Sequence, residues 1–293
     1  MSDRAVEAPP VYMVEKRAVV EQHIDRYIPS ADKYPQALHQ AIRYAVMAGG
    51  KRLRPVLALA AYETCGGKNE VIYPAAVAVE LVHCYSLIHD DMPCMDDDDF
   101  RHGQPTVHRK FGEAVALLAG DALHDLAFEL MTRTGSPQAI RELAEAIGTG
   151  GMLAGQMADI EAEGRELTED EIVYIHAHKT GKLIRGAVRI GASLAGASAD
   201  YLAAITAYGE KVGLAFQIID DILDIEGDPE MLGKPTGSDS RNMKATFPQV
   251  VGIRQSRLTA ARLIDEAIEI VSQTISHPEH FVQMARFVGG RRN

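Results

Sequence analysis

An all-α fold, a helical bundle forming one domain over residues 1–293, is the expectation for this chain. Three observations carry it. Apolar residues recur at helical spacing almost throughout, no window alternates convincingly with period two, and glycine or proline punctuates the pattern at helix-length intervals. The hydrophobic fraction of 46% is ample for a core, which with 6% aromatics and no Trp must consist mostly of Ala, Leu, Ile, Val and Met. The length lies above the usual single-domain mode but suits one large helical fold.

Residues 1–10 read as a disordered lead-in, with Pro9 and Pro10 as breakers. A first amphipathic helix covers 14–28 and stops near Pro29. After Pro35 a second runs to about Ala48 and ends at Gly49-Gly50, where glycine offers a left-handed cap. Pro55 suits the first turn of a helix over Val56–Thr64. The next spans about Tyr73–Asp91, and 92–108 is a polar loop with a dense acid run. Further helices are expected at 111–133, 137–158, 168–196, 199–226, 244–253 and 256–287. Thr168-Glu169-Asp170-Glu171 has the form of a capping box. Residues 226–243 form a second long polar loop, a length uncommon unless the loop holds something.

A net charge of −11 argues against general nucleic-acid binding, because the surface repels phosphates. A phosphate-bearing small molecule survives that argument, since local Lys, Arg or a metal can reverse the sign. Cys65, Cys84 and Cys94 have neither CxxC spacing nor an even count, which argues against a disulfide framework or zinc site and fits a reducing cytoplasm. The first residues lack the apolar stretch of a signal peptide, and no apolar run approaches the roughly 20 residues that span a bilayer. A soluble protein without stable membrane insertion is expected.

Two segments about 130 residues apart resemble each other. Leu87-Ile88-His89-Asp90-Asp91-Met92-Pro93-Cys94-Met95-Asp96-Asp97-Asp98-Asp99-Phe100-Arg101 and Phe216-Gln217-Ile218-Ile219-Asp220-Asp221-Ile222-Leu223-Asp224 are each an apolar helix ending in carboxylates. Asp220 and Asp224 stand at i and i+4, so they share one helix face. Carboxylates among Ile, Leu and Phe repel each other and are costly to desolvate, a cost that a hard divalent cation relieves. Magnesium prefers carboxylate and water oxygens and takes one or two carboxylates plus substrate phosphates, so two such helix ends can clamp a diphosphate. Asp97 to Asp99 alone read equally well as a solvated acidic loop.

Gly49-Gly50-Lys51-Arg52-Leu53-Arg54-Pro55 sets three cations beside flexible backbone, and a bidentate Arg with a Lys point charge suits a diphosphate. Basic helix caps are common, so this signal is weak by itself. His83 lies seven residues before Asp90, on the same helix face. Lys179, Lys234 and Lys244 each lie in or beside a polar turn, where each alone reads as a surface lysine.

Together these segments resemble the trans-polyprenyl diphosphate synthases, specifically the bacterial short-chain farnesyl diphosphate synthase type. GGKRLRP, SLIHDDMPCMDDDDFR, Gly-Gln-Met-Ala-Asp at 155–159, Lys-Thr-Gly-Lys at 179–182 and FQIIDDILD stand in that family's order and spacing, from about residue 30 onward. The resemblance implies long helices around a central apolar pocket. It implies magnesium on Asp90, Asp91 and Asp96 of one motif and Asp220, Asp221 and Asp224 of the other. Lys51, Arg54 and His83 would hold isopentenyl diphosphate, while Arg101, Lys179 and Lys234 would neutralise the departing allylic diphosphate. Thr180 and Gln217 would line the reaction centre, and Lys244 would face phosphate. The family has two arginines after the first motif; here the second is His102, which puts that isopentenyl diphosphate contact in doubt. Tyr85, five positions before the first motif, would form the pocket floor and stop growth at fifteen carbons, although an ideal wheel sets it about 140° from Asp90. A homodimer is also implied.

Rival readings explain fewer residues. A His-Asp metal phosphohydrolase leaves the second motif and the cationic segments without a role. A terpene cyclase mixes Asn or Asp with Ser and Glu in its second motif, unlike DDILD. A catalytically inactive prenyltransferase subunit would have lost aspartates that are complete here. Geranylgeranyl diphosphate is the alternative product.

Overall fold

The computed structural model describes residues 8–226 and 245–291. It is all-α apart from one two-stranded hairpin among the described residues. The helices are α1 (Val11–Tyr27), α2 (Gln36–Met47), α3 (Leu53–Thr64), α4 (Ile72–Asp90), α5 (Val107–Phe111), α6 (Glu113–Thr132), α7 (Pro137–Ile147), α8 (Met152–Ala162) and α9 (Glu169–His176). A π-helical segment, Ala177–Gly181, joins α9 to α10 (Lys182–Leu194). Then follow α11 (Ala199–Glu226), α12 (Phe247–Val251), α13 (Ile253–Thr274) and α14 (Glu279–Gly289).

Small apolar residues on α3 and α10 let these two helices pack at the centre. Ala58, Leu59, Leu183, Ala187 and Ile190 face a cluster built with α1, α2, α4, α6 and α7. Leu57, Ala61, Ile184, Val188 and Ala192 face a second cluster with α11, α13 and α14. Tyr208, Phe247 and Phe281 are fully buried, but the rest of the core is mostly Ala, Leu, Ile and Val, as the composition implies. By length and composition α4 and α11 could cross a membrane, contrary to the sequence expectation. In the protein they are core helices, with 78% and 50% of their apolar windows buried. All three cysteines are free.

Several expected boundaries need correction, each for a backbone reason. The 137–158 helix divides at Gly148-Thr149-Gly150-Gly151, where a side chain at Gly151 would meet the Ala146 carbonyl at 2.3 Å. The 111–133 helix is interrupted at Gly112, and the 244–253 segment at Gly252. The 256–287 helix stops at Thr274 and restarts after Pro278, which cannot continue a ladder. Within 92–108 lies a hairpin, Phe100–Arg101 paired with Gln104–Pro105. His102 (φ 51°) and Gly103 (φ 74°) make its two-residue turn, the double positive-φ geometry that suits the strand twist. The Thr168–Glu171 capping box and the left-handed Gly49 and Gly50 match expectation.

Candidate active site

The first acidic motif begins on α4 and curls back on itself. The Asp96 amide donates to the Asp90 carbonyl (2.8 Å), and the Asp97 amide donates to the Met92 carbonyl (3.1 Å). Asp90 and Asp91 are buried, at 7% and 3% exposure. Asp90 accepts from Gln156 Nε2 of α8. The hairpin turns Arg101 inward, where its Nε donates to Asp91 Oδ1 at 2.7 Å. Burial raises the Asp91 carboxyl to about 6 against the opposing pull of Arg101.

The second motif lies on α11. Asp221 and Asp224 are buried, while the Asp220 side chain remains 35% exposed. Asp220 meets Arg291 at 2.8 Å, and its charge also acts on Lys51 and Arg54. Asp221 is engaged on both oxygens. It accepts from His176 Nε2 (2.8 Å) and the Phe247 amide (2.7 Å) on Oδ2, and from Gln217 Nε2 (3.1 Å) on Oδ1.

The π segment connects the two motifs. Lys179 Nζ donates to Asp159 Oδ2 at 2.7 Å; burial would lower its pKa, but Asp90, Asp159 and Asp96 outweigh that and raise it. Its neighbour Thr180 donates to Gln217 Oε1 at 2.8 Å, on the second-motif side. Gly155 of α8 and Gly213 of α11 permit the close fit. A Cβ on Gly155 would stand 2.1 Å from the Lys179 amide nitrogen, and one on Gly213 2.6 Å from Gly181 Cα.

A cationic cluster lies beyond Asp220. Burial, followed by Arg291, brings the Lys51 amine down to about 8. His83 is held well below the ordinary imidazole range by burial and by Arg54, Arg101 and His102, and His102 is lowered for similar reasons. Among the described residues Arg54 Nε and Arg291 Nε and Nη1 are buried without hydrogen-bond partners, donors that an anion beside them would satisfy. Arg52 Nε likewise has no hydrogen-bond partner, but Arg52 engages the rest of its guanidinium elsewhere. Its left-handed backbone (φ 50°) turns it into the core, where it bonds Glu80 (2.6 Å) and the Val46 carbonyl (2.6 Å).

Among the described residues no three His, Cys, Asp or Glu side chains form a ready-made metal cluster. The donor chemistry still fits a hard divalent ion sharing its coordination with phosphate, because carboxylates of both motifs lie beside cations, Asp91 with Arg101 and Asp220 with Arg291, and an ion shared with phosphate needs few protein ligands. Lys234 and Lys244 lie outside the described residues. Sequence reasoning missed Gln156, Asp159, His176 and Arg291. The first two stand in the quoted 155–159 segment, but His176 and Arg291 carry no local signal of their own.

Carboxylates on two helices with cations beside them have the chemistry to take a phosphorylated ligand. The family model "Polyprenyl synthetase" matches residues 35–284. Farnesyl diphosphate synthase of Geobacillus stearothermophilus is 45% identical over 264 residues, covering 87% of this chain and 89% of the relative. Geranylgeranyl diphosphate synthase of Cyanophora paradoxa is 41% identical, covering 96% of each. The crystal structure of a polyprenyl synthase from Caulobacter crescentus, complexed with calcium and isoprenyl diphosphate, superposes with a TM-score of 0.90 at 28% identity, covering 98% of this chain and 99% of that one. The chain belongs to the polyprenyl synthetase family.

Proposed function

We propose that this prenyltransferase joins dimethylallyl or geranyl diphosphate to isopentenyl diphosphate and releases farnesyl diphosphate. The observation carrying the product assignment is Tyr85. It is buried on α4, edge-on to His89 (5.8 Å) and to His124 of α6 (5.5 Å), a bulky ring five positions before the first motif. Incubation with dimethylallyl diphosphate, isopentenyl diphosphate and magnesium, followed by product chromatography, tests it. A twenty-carbon product would support the geranylgeranyl reading, which the Cyanophora relative keeps open.

In this reading Asp90, Asp91, Asp96, Asp220 and Asp224 hold magnesium, which when bound supplies electrostatic stabilisation to the departing diphosphate. Asp221 belongs to the same motif, with both oxygens already engaged by protein donors. Lys179, Arg101 and, outside the described residues, Lys234 neutralise the allylic diphosphate as charge builds on it. Lys51, Arg54, His83 and His102 bind isopentenyl diphosphate, with Lys244 as a further phosphate contact. Neutral His102, where the family has arginine, contributes a directional hydrogen bond without a full charge. Thr180 and Gln217 line the reacting carbons, and apolar walls keep water from the allylic cation. The released diphosphate accepts the proton, so no protein nucleophile is required. Exposed Leu117 and Leu118 on α6 and Leu153 and Met157 on α8 support a homodimer, which sedimentation would test. A cytoplasmic location completes the reading.

A further inference from the structure

His176 is the last residue of α9, immediately before the π segment, and it is 5% exposed. Its bond to buried Asp221 begins a chain of directed contacts. Asp221 accepts from His176, from the Phe247 amide at the start of α12, and from Gln217. Gln217 turns its Nε2 to Asp221 and its Oε1 to Thr180, and Thr180 donates to that oxygen. One carboxylate on α11 therefore ties together the residue that enters the π segment, a residue inside that segment, and the first turn of α12.

A π turn has poorer packing than an α-helix and persists where surrounding contacts hold it. Here it sets Lys179 toward Asp90 and Asp159 while Thr180, one residue on, faces Gln217. The clamp between Gly155 and Gly213 fixes the segment from two sides. That clamp consists of backbone contacts, which set distance but not rotation. The directional element is the hydrogen-bonded chain, and a charged acceptor makes its bonds the stronger kind.

We infer that His176 is a positioning residue: through Asp221 and Gln217 it fixes the π segment that presents Lys179 and Thr180 to the reacting allylic diphosphate. The inference rests on the reading of those two residues given above, and one of its tests does not depend on activity. His176→Phe keeps a ring and removes the donor, whereas His176→Gln keeps a donor of similar reach. H176F is expected to lower kcat at least tenfold and raise the KM for the allylic substrate, leaving the KM for isopentenyl diphosphate within about twofold. H176Q is expected to recover most of kcat. Hydrogen exchange read by mass spectrometry should show faster exchange at residues 177–181 in H176F and near-native exchange in H176Q, in the absence of substrate. Combined with Asp221→Asn, the two losses should not add, because both cut the same chain. Full turnover by folded H176F, additive losses, or equal rises in both KM values would overturn the inference. Should H176F fail to fold, H176N, too short to reach Asp221, takes its place against H176Q. Equal exchange in those two variants overturns the inference, even if the wild-type chain makes another product.

Discussion

Arg291 Nη2 lies 2.8 Å from Asp220 Oδ1, so the far end of the described chain reaches the second aspartate motif. The guanidinium also stacks over Phe216, 4.2 Å from the ring centroid, and its side chain is only 9% exposed. Two of its nitrogens are buried without partners among the described residues. Burying an arginine this way costs several kcal/mol unless an anion completes its bonds, and Lys51 and Arg54 press on it from the same side. Arg291→Gln should therefore raise the KM for isopentenyl diphosphate about tenfold, near 1.4 kcal/mol. Calorimetric titration with isopentenyl diphosphate checks it, and an unchanged affinity would show that Arg291 serves only Asp220.

The two motifs should be separable from fold. Asp90→Asn or Asp220→Asn is expected to cost on the order of 10²-fold or more in kcat, with the helical circular dichroism spectrum retained. EDTA should abolish turnover, and excess magnesium should restore it. Near wild-type turnover in either variant would sink the assignment of these carboxylates to metal.

Lys51 gives a pH signature. Its amine is charged below about 8 and loses its proton as pH rises through that value, since burial and Arg291 disfavour the charge more than Asp220 favours it. A bound diphosphate favours the protonated amine, so affinity is full at lower pH and declines above about 8. The kcat/KM for isopentenyl diphosphate, which reports the free enzyme, should fall along that limb. Lys51→Arg should move the limb to higher pH; a limb that stays in place belongs to another group. Neighbouring His83 and His102 are both held below the ordinary imidazole range by burial and nearby cations, hence below this window.

Much of this site was legible from residue type and spacing. Asp220 and Asp224, placed among Ile and Leu on a helical period, announced themselves because a carboxylate in an apolar stretch needs a partner. Lys179 and Thr180 could be named from their motif, but not their π geometry, which depends on the glycines of α8 and α11 that pack against it. Arg52 looked equivalent to Lys51 and Arg54, and only its left-handed backbone sends it to Glu80 instead. His176 and Arg291 reach the second motif from 45 and 71 positions away in the chain, and no local pattern encodes such contacts.

Product length is the last expectation, and in the proposed reading Tyr85 sets it. An ideal wheel sets Tyr85 about 140° from Asp90. Its ring meets His124 of α6 at an interplanar angle of 81°, and the His124 and Phe128 ring centroids lie 5.0 Å apart. In the proposed reading a chain growing between α4 and α6 meets these rings. Adding one more five-carbon unit would gain roughly 4 kcal/mol at about 0.8 kcal/mol per carbon, so weak binding cannot be what stops growth. Steric blockage must stop it. Tyr85→Ala should shift the product to twenty carbons or more, read by chromatography of the dephosphorylated alcohols. Removing a buried aromatic ring costs about 3–5 kcal/mol, so thermal unfolding must confirm a folded variant first. A folded Tyr85→Ala enzyme that still releases only the fifteen-carbon product would move the floor to another residue, with His124 the first to test.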